Sequence, residues 1–327
     1  MTSYHKFALI FGSNYPGTSM SLTGCVNDAN HIKDFLITKR GFPATEVQTI
    51  YDRAMTRNNM LTALTNVATK THSVSATGKI PAVFLMYSGH GIRIPKSTSV
   101  ANRQTLLKAY GLNDIDGDEG LVPYDVATAG VLLDDILYSQ FIKKLHPSTQ
   151  LFIMTDCCNS GTNFDLAYEG TLLTNTHNSV IADVIHLSAC KDNQLAVEMN
   201  GAGLLTTKFL QVMASVEKVS TFRKELADLS VVGNLQHPQV SVSKLSLMNG
   251  DMFPWLVRDV TVDAVAIAYA KAKLAYAKAL AKAKALAKAK AKKKTVVRTK
   301  ALTKSKVVVR VNAPSALSNI ITLLLKR

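Results

Sequence analysis

Two short stretches hold side chains able to do covalent chemistry. Tyr87-Ser88-Gly89-His90-Gly91 ends one apolar run, and Asp156-Cys157-Cys158-Asn159-Ser160-Gly161 ends another. A histidine between two glycines can present its imidazole in a crevice, because small neighbours leave room for a substrate backbone to approach. A cysteine on an adjacent strand end then lies within reach of that imidazole, which can take the thiol proton and later protonate a leaving amine. Taken singly, His90 also reads as a loop histidine and Cys158 as a buried thiol. As a pair, each at the end of an apolar run and separated by a strand and a helix, they point to nucleophilic catalysis.

The elements that must position this pair follow from hydrophobic periodicity. Residues 6–12 read as a buried strand followed by turn residues, 26–38 as a helix stopped by Gly41, and 47–51 as a second strand. Residues 56–71 carry the helical spacing of Met60, Leu61, Leu64 and Val67, and 80–87 read as a third strand. The polar, Gly/Asp-rich segment 91–130 is too long for an idle connection. Beyond it the pattern predicts a helix over 132–145, strands over 150–155 and 184–189, helices over 204–216 and 221–229, and a sixth strand over 240–243. Strands alternating with helices predict a mostly parallel sheet covered on both faces, with ligands beyond the carboxyl ends of the strands.

The Tyr-Ser-Gly-His-Gly and Asp-x-Cys-x-Ser-Gly strand ends together resemble the signature pair of the metacaspases, caspase-like cysteine peptidases; the likeness spans about residues 5 to 245. It implies an α/β, caspase-like three-layer sandwich, with a mostly parallel central sheet and helices on both faces. It also implies a cysteine-type endopeptidase, acting as a monomer without an organic cofactor, with Cys158 as nucleophile and His90 as general base or acid. The implied oxyanion donors are the backbone N–H groups of Gly89 and Cys158. Caspases proper cut after Asp, whereas metacaspases cut after Arg or Lys and so need an acidic pocket. Asp28 and Asp156 fall where the family places its pocket carboxylates, and Ser88 is expected in the pocket wall. A desolvated cation requires such partners. Asp28 alone also reads as a helix-capping residue. Cys157 replaces a usually small residue and Asn159 a more common His, and neither change removes a catalytic group. Ser188 to Gln194 also resembles the family, with Cys190 expected as a core thiol.

Asp114, Asp116, Asp118 and Asp125 occupy positions one, three, five and twelve of an EF-hand-like loop, but Glu119 stands where the turn wants Gly and no helical pattern precedes it. The resemblance offers another grouping: Asp118, Asp134, Asp135 and Asp165 match the residues with which calcium-dependent metacaspases bind the ion. Bound Ca²⁺ would hold the Asp165 loop in its active shape. The competing reading has Asp134 capping a helix and the other three solvated.

At 47% hydrophobic and 19% charged residues, the 327-residue chain has the balance of a globular protein rather than of a disordered, collagen-like or coiled-coil one. Its net charge of +15 is unevenly placed: residues 260–327 hold 14 Lys and 3 Arg against Asp263 alone, whereas residues 1–259 sum to −1. The expected organisation is a peptidase domain over 1–250, a linker over 251–263 and a basic Ala/Lys-rich tail over 264–327, helical or partly disordered. The tail suits salt-sensitive, sequence-independent contact with nucleic acid, and equally a solvated segment that raises solubility. Four cysteines, two of them adjacent, suit a disulfide framework badly and point to an intracellular compartment, cytoplasmic or nuclear. The N-terminal apolar run is too short for a signal peptide, and no segment is long enough to span a membrane.

Between Lys144 and Lys191 there is no Lys or Arg, so an enzyme cutting only after basic residues would process itself in the tail and not after its nucleophile. The leading expectation is thus a calcium-stimulated peptidase acting on protein or peptide substrates with Arg or Lys at the cleavage site. The alternative is a non-catalytic caspase-like binding module anchored to nucleic acid by its tail.

Overall fold

The computed structural model describes residues 3–93, 119–158, 163–169, 172–173, 180–190, 197–199, 201–213, 215–227, 236–257 and 307–309. The first half of the sheet forms as the periodicity requires. Strand β1 (Tyr4–Gly12) leads into helix α1 (Cys25–Arg40), β2 (Val47–Tyr51) into α2 (Arg57–Ser75), and β3 (Ile80–Ser88) follows. Helix α1 stops at Gly41, whose φ of 64° is the left-handed conformation that glycine adopts without penalty. Helix α2 starts at the Thr56 cap, whose hydroxyl accepts the Asn59 N–H at 3.2 Å, and runs four residues past the expected end.

After β3 come β4 (Gly91–Arg93), β5 (Glu119–Leu121) and β6 (Leu132–Leu133), which pair into a small antiparallel sheet. The helix expected over 132–145 is therefore shorter: Leu132 and Leu133 are spent on β6, the helix proper is Asp134–Gln140, and a 3₁₀ turn, Ile142–Lys144, follows Phe141. Strand β7 (Gln150–Asp156) is followed by the short β8 (Tyr168–Glu169) and β9 (Leu172–Leu173), then β10 (Asp183–Ser188), β11 (Val197–Met199), β12 (Ala202–Gly203), the helices Leu204–Val212 and Val219–Ala227, β13 (Gln239–Val242) and, in the tail, β14 (Val307–Val309).

The main sheet has the order β2-β1-β3-β7-β10-β13-β8-β9, its first five strands parallel and its last three added antiparallel. The central strands are largely apolar and buried, and the pleat divides them between two cores. Phe7, Leu9, Phe11, Val83, Leu85, Leu151 and Ile153 pack with α2. Ala8, Ile10, Phe84, Met86, Phe152, Met154, Ile185 and Leu187 pack with α1 and the helix Leu204–Val212. This is the expected three-layer α/β arrangement, mostly parallel with helices on both faces. Chain order places β2 and β3 on opposite sides of β1, so the crevice belongs where the connections after β1 and β3 part.

Residues 251–257, expected to be linker, belong to the folded body. Met252, Phe253, Trp255 and Leu256 are buried in the α1-side core, and Trp255 Nε1–H donates to Gln150 Oε1 at 3.0 Å. Arg40, fully buried, donates to the carbonyls of Leu256 and Met213 and lies over the Phe35 ring. Apolar packing thus extends the body to Val257. In the tail, Val307–Val309 pairs antiparallel with β11, and the rest of the chain beyond Val257 lies outside the described residues. Among the described residues no helix is long and apolar enough to cross a membrane.

Candidate active site

The two chemistry-bearing stretches meet because β3 and β7 are neighbours whose last paired residues are Ser88 and Asp156. Gly89 and His90 continue from one strand, Cys157 and Cys158 from the other. The approach is close: a Cβ on Gly91 would lie 1.9 Å from the Cys158 carbonyl oxygen, so only glycine fits there. His90 and Cys158 are both buried. His90 Nε2 stands 2.7 Å from the Met20 carbonyl oxygen. A carbonyl only accepts, so Nε2 carries the proton and Nδ1 is left with the lone pair needed to take a proton from a thiol. The Gly89 amide comes one residue after the last strand pair and the Cys158 amide two, where donors to a developing oxyanion would be required.

Asp28 and Asp156, expected as pocket carboxylates, are fully buried and converge. Asp28 sits in the first turn of α1, yet neither oxygen caps that helix: Ser88 Oγ donates to Oδ2 at 3.0 Å and the Gly203 N–H to Oδ1 at 2.7 Å. The cap is supplied from afar by Asn14, whose Oδ1 accepts the N–H groups of Cys25 and Val26. Asp156 accepts from the Thr206 N–H at 3.1 Å and the Thr206 hydroxyl at 2.7 Å. A Cβ on Gly203 would lie 2.0 Å from Asp156 Oδ2 and 2.8 Å from Asp28 Oδ2. The two carboxyl groups are therefore no more than about 5 Å apart, a spacing at which like charges repel and a shared cation is strongly attracted.

Of the acidic residues matched to calcium, Asp118 lies outside the described residues. Asp134 is not a helix cap. It is the first residue of its helix, with Oδ2 accepting the Glu119 N–H at 3.0 Å and Oδ1 the Asp135 N–H at 2.9 Å, which ties β5 to the helix start. Asp135 is exposed. Asp165 has a φ of 48°, and its charge adds to burial in pushing up the Tyr138 phenol, one turn along the helix from Asp134. Among the described residues no group of three or more His, Cys, Asp and Glu side chains is gathered to hold a metal.

None of the four cysteines forms a disulfide. Cys190 is buried, as a core thiol should be, and its Sγ donates to the Cys157 carbonyl at 3.5 Å. Cys157 lies on the α2-side core, and Cys158 on the opposite one. Sequence reasoning missed the Met20 carbonyl, Tyr15, Gly203 and Thr206. Each acts across a long chain separation, and two act through backbone groups that carry no residue-type signal.

Residues 6–167, which include both strand-end motifs, match the family model described as metacaspase, peptidase C14 domain. A metacaspase-1 of Plasmodium falciparum is 32% identical over 227 residues, covering 64% of this chain and 34% of that protein. A metacaspase-2 of Trypanosoma brucei brucei is 28% identical over 274 residues, covering 72% of this chain and 73% of its own. The chain thus spans about a third of the Plasmodium relative. Among solved structures, a Geobacter sulfurreducens protein superposes with a TM-score of 0.53 at 20% identity, over 76% of this chain and 98% of that one, a likeness of fold.

Proposed function

The chain belongs to the metacaspase family through residues 6–167, and from the site on that domain we propose that it is a cysteine-type endopeptidase hydrolysing bonds after Arg or Lys. The observation that carries the reading is the convergence of buried Asp28 and Asp156 beneath Gly203, two residues from the nucleophile. A guanidinium or ammonium entering there finds two carboxylates already oriented by Ser88, Gly203 and Thr206. Such preorganised, charge-assisted pairing offsets the cost of desolvating the cation.

In this mechanism His90 Nδ1 takes the Cys158 proton and the thiolate attacks the carbonyl carbon of the bound basic residue. The oxyanion is met by the N–H groups of Gly89 and Cys158, and collapse expels the amine with the proton from His90. Water, deprotonated by the same imidazole, then releases the acid from the thioester and restores the thiol. Calcium is part of the proposal. Asp118, Asp134, Asp135 and Asp165 would hold the ion through carboxylate oxygens, in support of which Asp165 lies near enough to the Asp134 helix to act on Tyr138. The ion would supply a fixed charge that steadies the segment after the nucleophile.

The test is hydrolysis of fluorogenic peptides ending in Arg, Lys or Asp, with calcium or chelator, against Cys158→Ala. Turnover of the Arg and Lys peptides, enhanced by calcium and absent in the variant, is expected. Turnover of the Asp peptide alone would overturn the pocket, and no turnover by folded protein would overturn the reaction.

A further inference from the structure

The catalytic histidine sits in a segment that the chain itself leaves soft. Gly89 and Gly91 flank it, and glycine restricts the backbone less than any other residue. The surroundings compensate with two buried phenols. The Tyr15 hydroxyl accepts the His90 N–H at 3.1 Å and donates to the Val122 carbonyl at 2.6 Å. The Tyr87 hydroxyl donates to the His90 carbonyl at 2.6 Å and accepts the Val122 N–H at 3.2 Å. The two hydroxyl oxygens also stand 3.0 Å apart, and the Val122 carbonyl lies 3.0 Å from Tyr87; with one proton on each phenol, the 2.6 Å carbonyls are the shorter acceptors. Both peptide groups of His90, on its N–H and its C=O side, are thereby held by side chains rather than by a sheet partner alone.

Three further observations tie this arrangement to the imidazole. The Tyr15 ring lies against the His90 ring, centroids 4.9 Å apart and planes tilted 42°. Tyr15 pays for that position with a left-handed backbone at φ 50°, unusual for a bulky residue and characteristic of strain retained at functional sites. Gly89 is confined by the same pair: a Cβ there would stand 2.7 Å from both phenol oxygens. Burial pushes both phenols above their ordinary range, so they stay protonated and keep donating at any working pH.

We propose that Tyr15 and Tyr87 are positioning residues for His90, a pair of phenols that fixes the backbone and ring of the general base against Cys158 without touching the substrate. This rests on the peptidase reading above, and its test separates the two. Tyr15→Phe keeps the ring against the imidazole and removes the hydroxyl's bonds to the His90 N–H, the Val122 carbonyl and Tyr87; Tyr87→Phe removes the hydroxyl that holds the His90 carbonyl. In each variant kcat for an Arg peptide is expected to fall about 10- to 100-fold with KM within about twofold, because ground-state binding is untouched while the base is misplaced. The pH profile of Cys158 alkylation by iodoacetamide, which needs no peptide hydrolysis, is expected to shift toward that of His90→Ala. Thermal melting checks that each variant is folded, and Tyr87→Phe carries the test if Tyr15→Phe does not fold. Parent-like kcat and alkylation profile in a folded variant would overturn the proposal. A parent that hydrolyses no peptide, yet whose alkylation profile depends on His90 and shifts in the tyrosine variants, would sink the peptidase reading and leave the positioning role standing.

Discussion

Gly203→Ala tests the pocket without replacing a charged or reacting group. Gly203 has φ −66° and ψ 138°, an extended conformation that alanine adopts freely, so the substitution carries no backbone strain. Its cost is steric. The new methyl would stand 2.0 Å from Asp156 Oδ2 and 2.8 Å from Asp28 Oδ2, and relief to ordinary contact moves the Asp156 oxygen by about 1.4 Å. Such a shift is beyond the tolerance of the 2.7 and 3.1 Å bonds from Thr206. Hydrogen bonds to charged acceptors are worth about 1.5–3 kcal/mol each, so losing the arrangement of one carboxylate forfeits about 3 kcal/mol of cation binding. That converts to about 150-fold in kcat/KM for Arg and Lys peptides. The assay pairs kcat/KM with the rate of Cys158 alkylation, expected within about twofold of the parent because the atoms nearest the new methyl belong to Asp156 and Asp28 and none to the dyad. An unchanged kcat/KM would refute the pocket. Alkylation slowed in step with turnover would refute the separation of pocket from dyad.

Acid should destabilise the fold through His186. Burial lowers its pKa from the ordinary 6.5 to about 3, with Thr155 Oγ1 2.8 Å from Nε2. The unfolded chain therefore binds the proton more readily than the folded one. Stability is complete above pH 6.5 and falls toward pH 3, by as much as about 5 kcal/mol at the acid limit. Denaturant unfolding at pH 7 and 4 should show a smaller difference in His186→Gln, and an equal one would contradict this. For the tail, DNA retention lost as salt rises, and abolished by removing residues 260–327, is the expected result. Retention by the body alone would place the contact elsewhere.

Much of the sheet was legible because its central strands are largely apolar runs bounded by turn residues; the second strand, Val47–Tyr51, mixes apolar and polar residues and still ends where the pattern places it. The sequence reading failed where tertiary pairing overrides local preference. Leu132 and Leu133 fit a helical stripe, yet their backbones complete the small sheet beside β5. Met252 to Leu256 look like the start of a linker until Arg40 and Gln150 are seen to hold them. At the site, His90 and Cys158 were legible from their strand-end settings and Asp28, Asp156 and Ser88 from the motif resemblance; the structure brings the two strand ends together and Ser88 onto Asp28. What holds them was not legible: the Met20 carbonyl and the Gly203 amide are present in any residue, and Thr206 is 50 residues from its partner.

The pleat explains how so short a motif serves two tasks. Along β3 and beyond β7, successive side chains point to opposite faces. Tyr87 lies with the α2-side core and Ser88 follows Met86 toward the α1 side, where it meets Asp28. Cys157 likewise belongs to the α2-side core and Cys158 to the other. One face thus holds the histidine through Tyr87 and, from the loop after β1, Tyr15; the other carries the carboxylates that would select a basic side chain. On the proposed reading, adjacent residues divide the work between orienting the base and recognising the substrate. A one-residue slip in the register of either strand would exchange the two faces and lose both functions together, which is a stronger constraint on these strand ends than packing alone imposes.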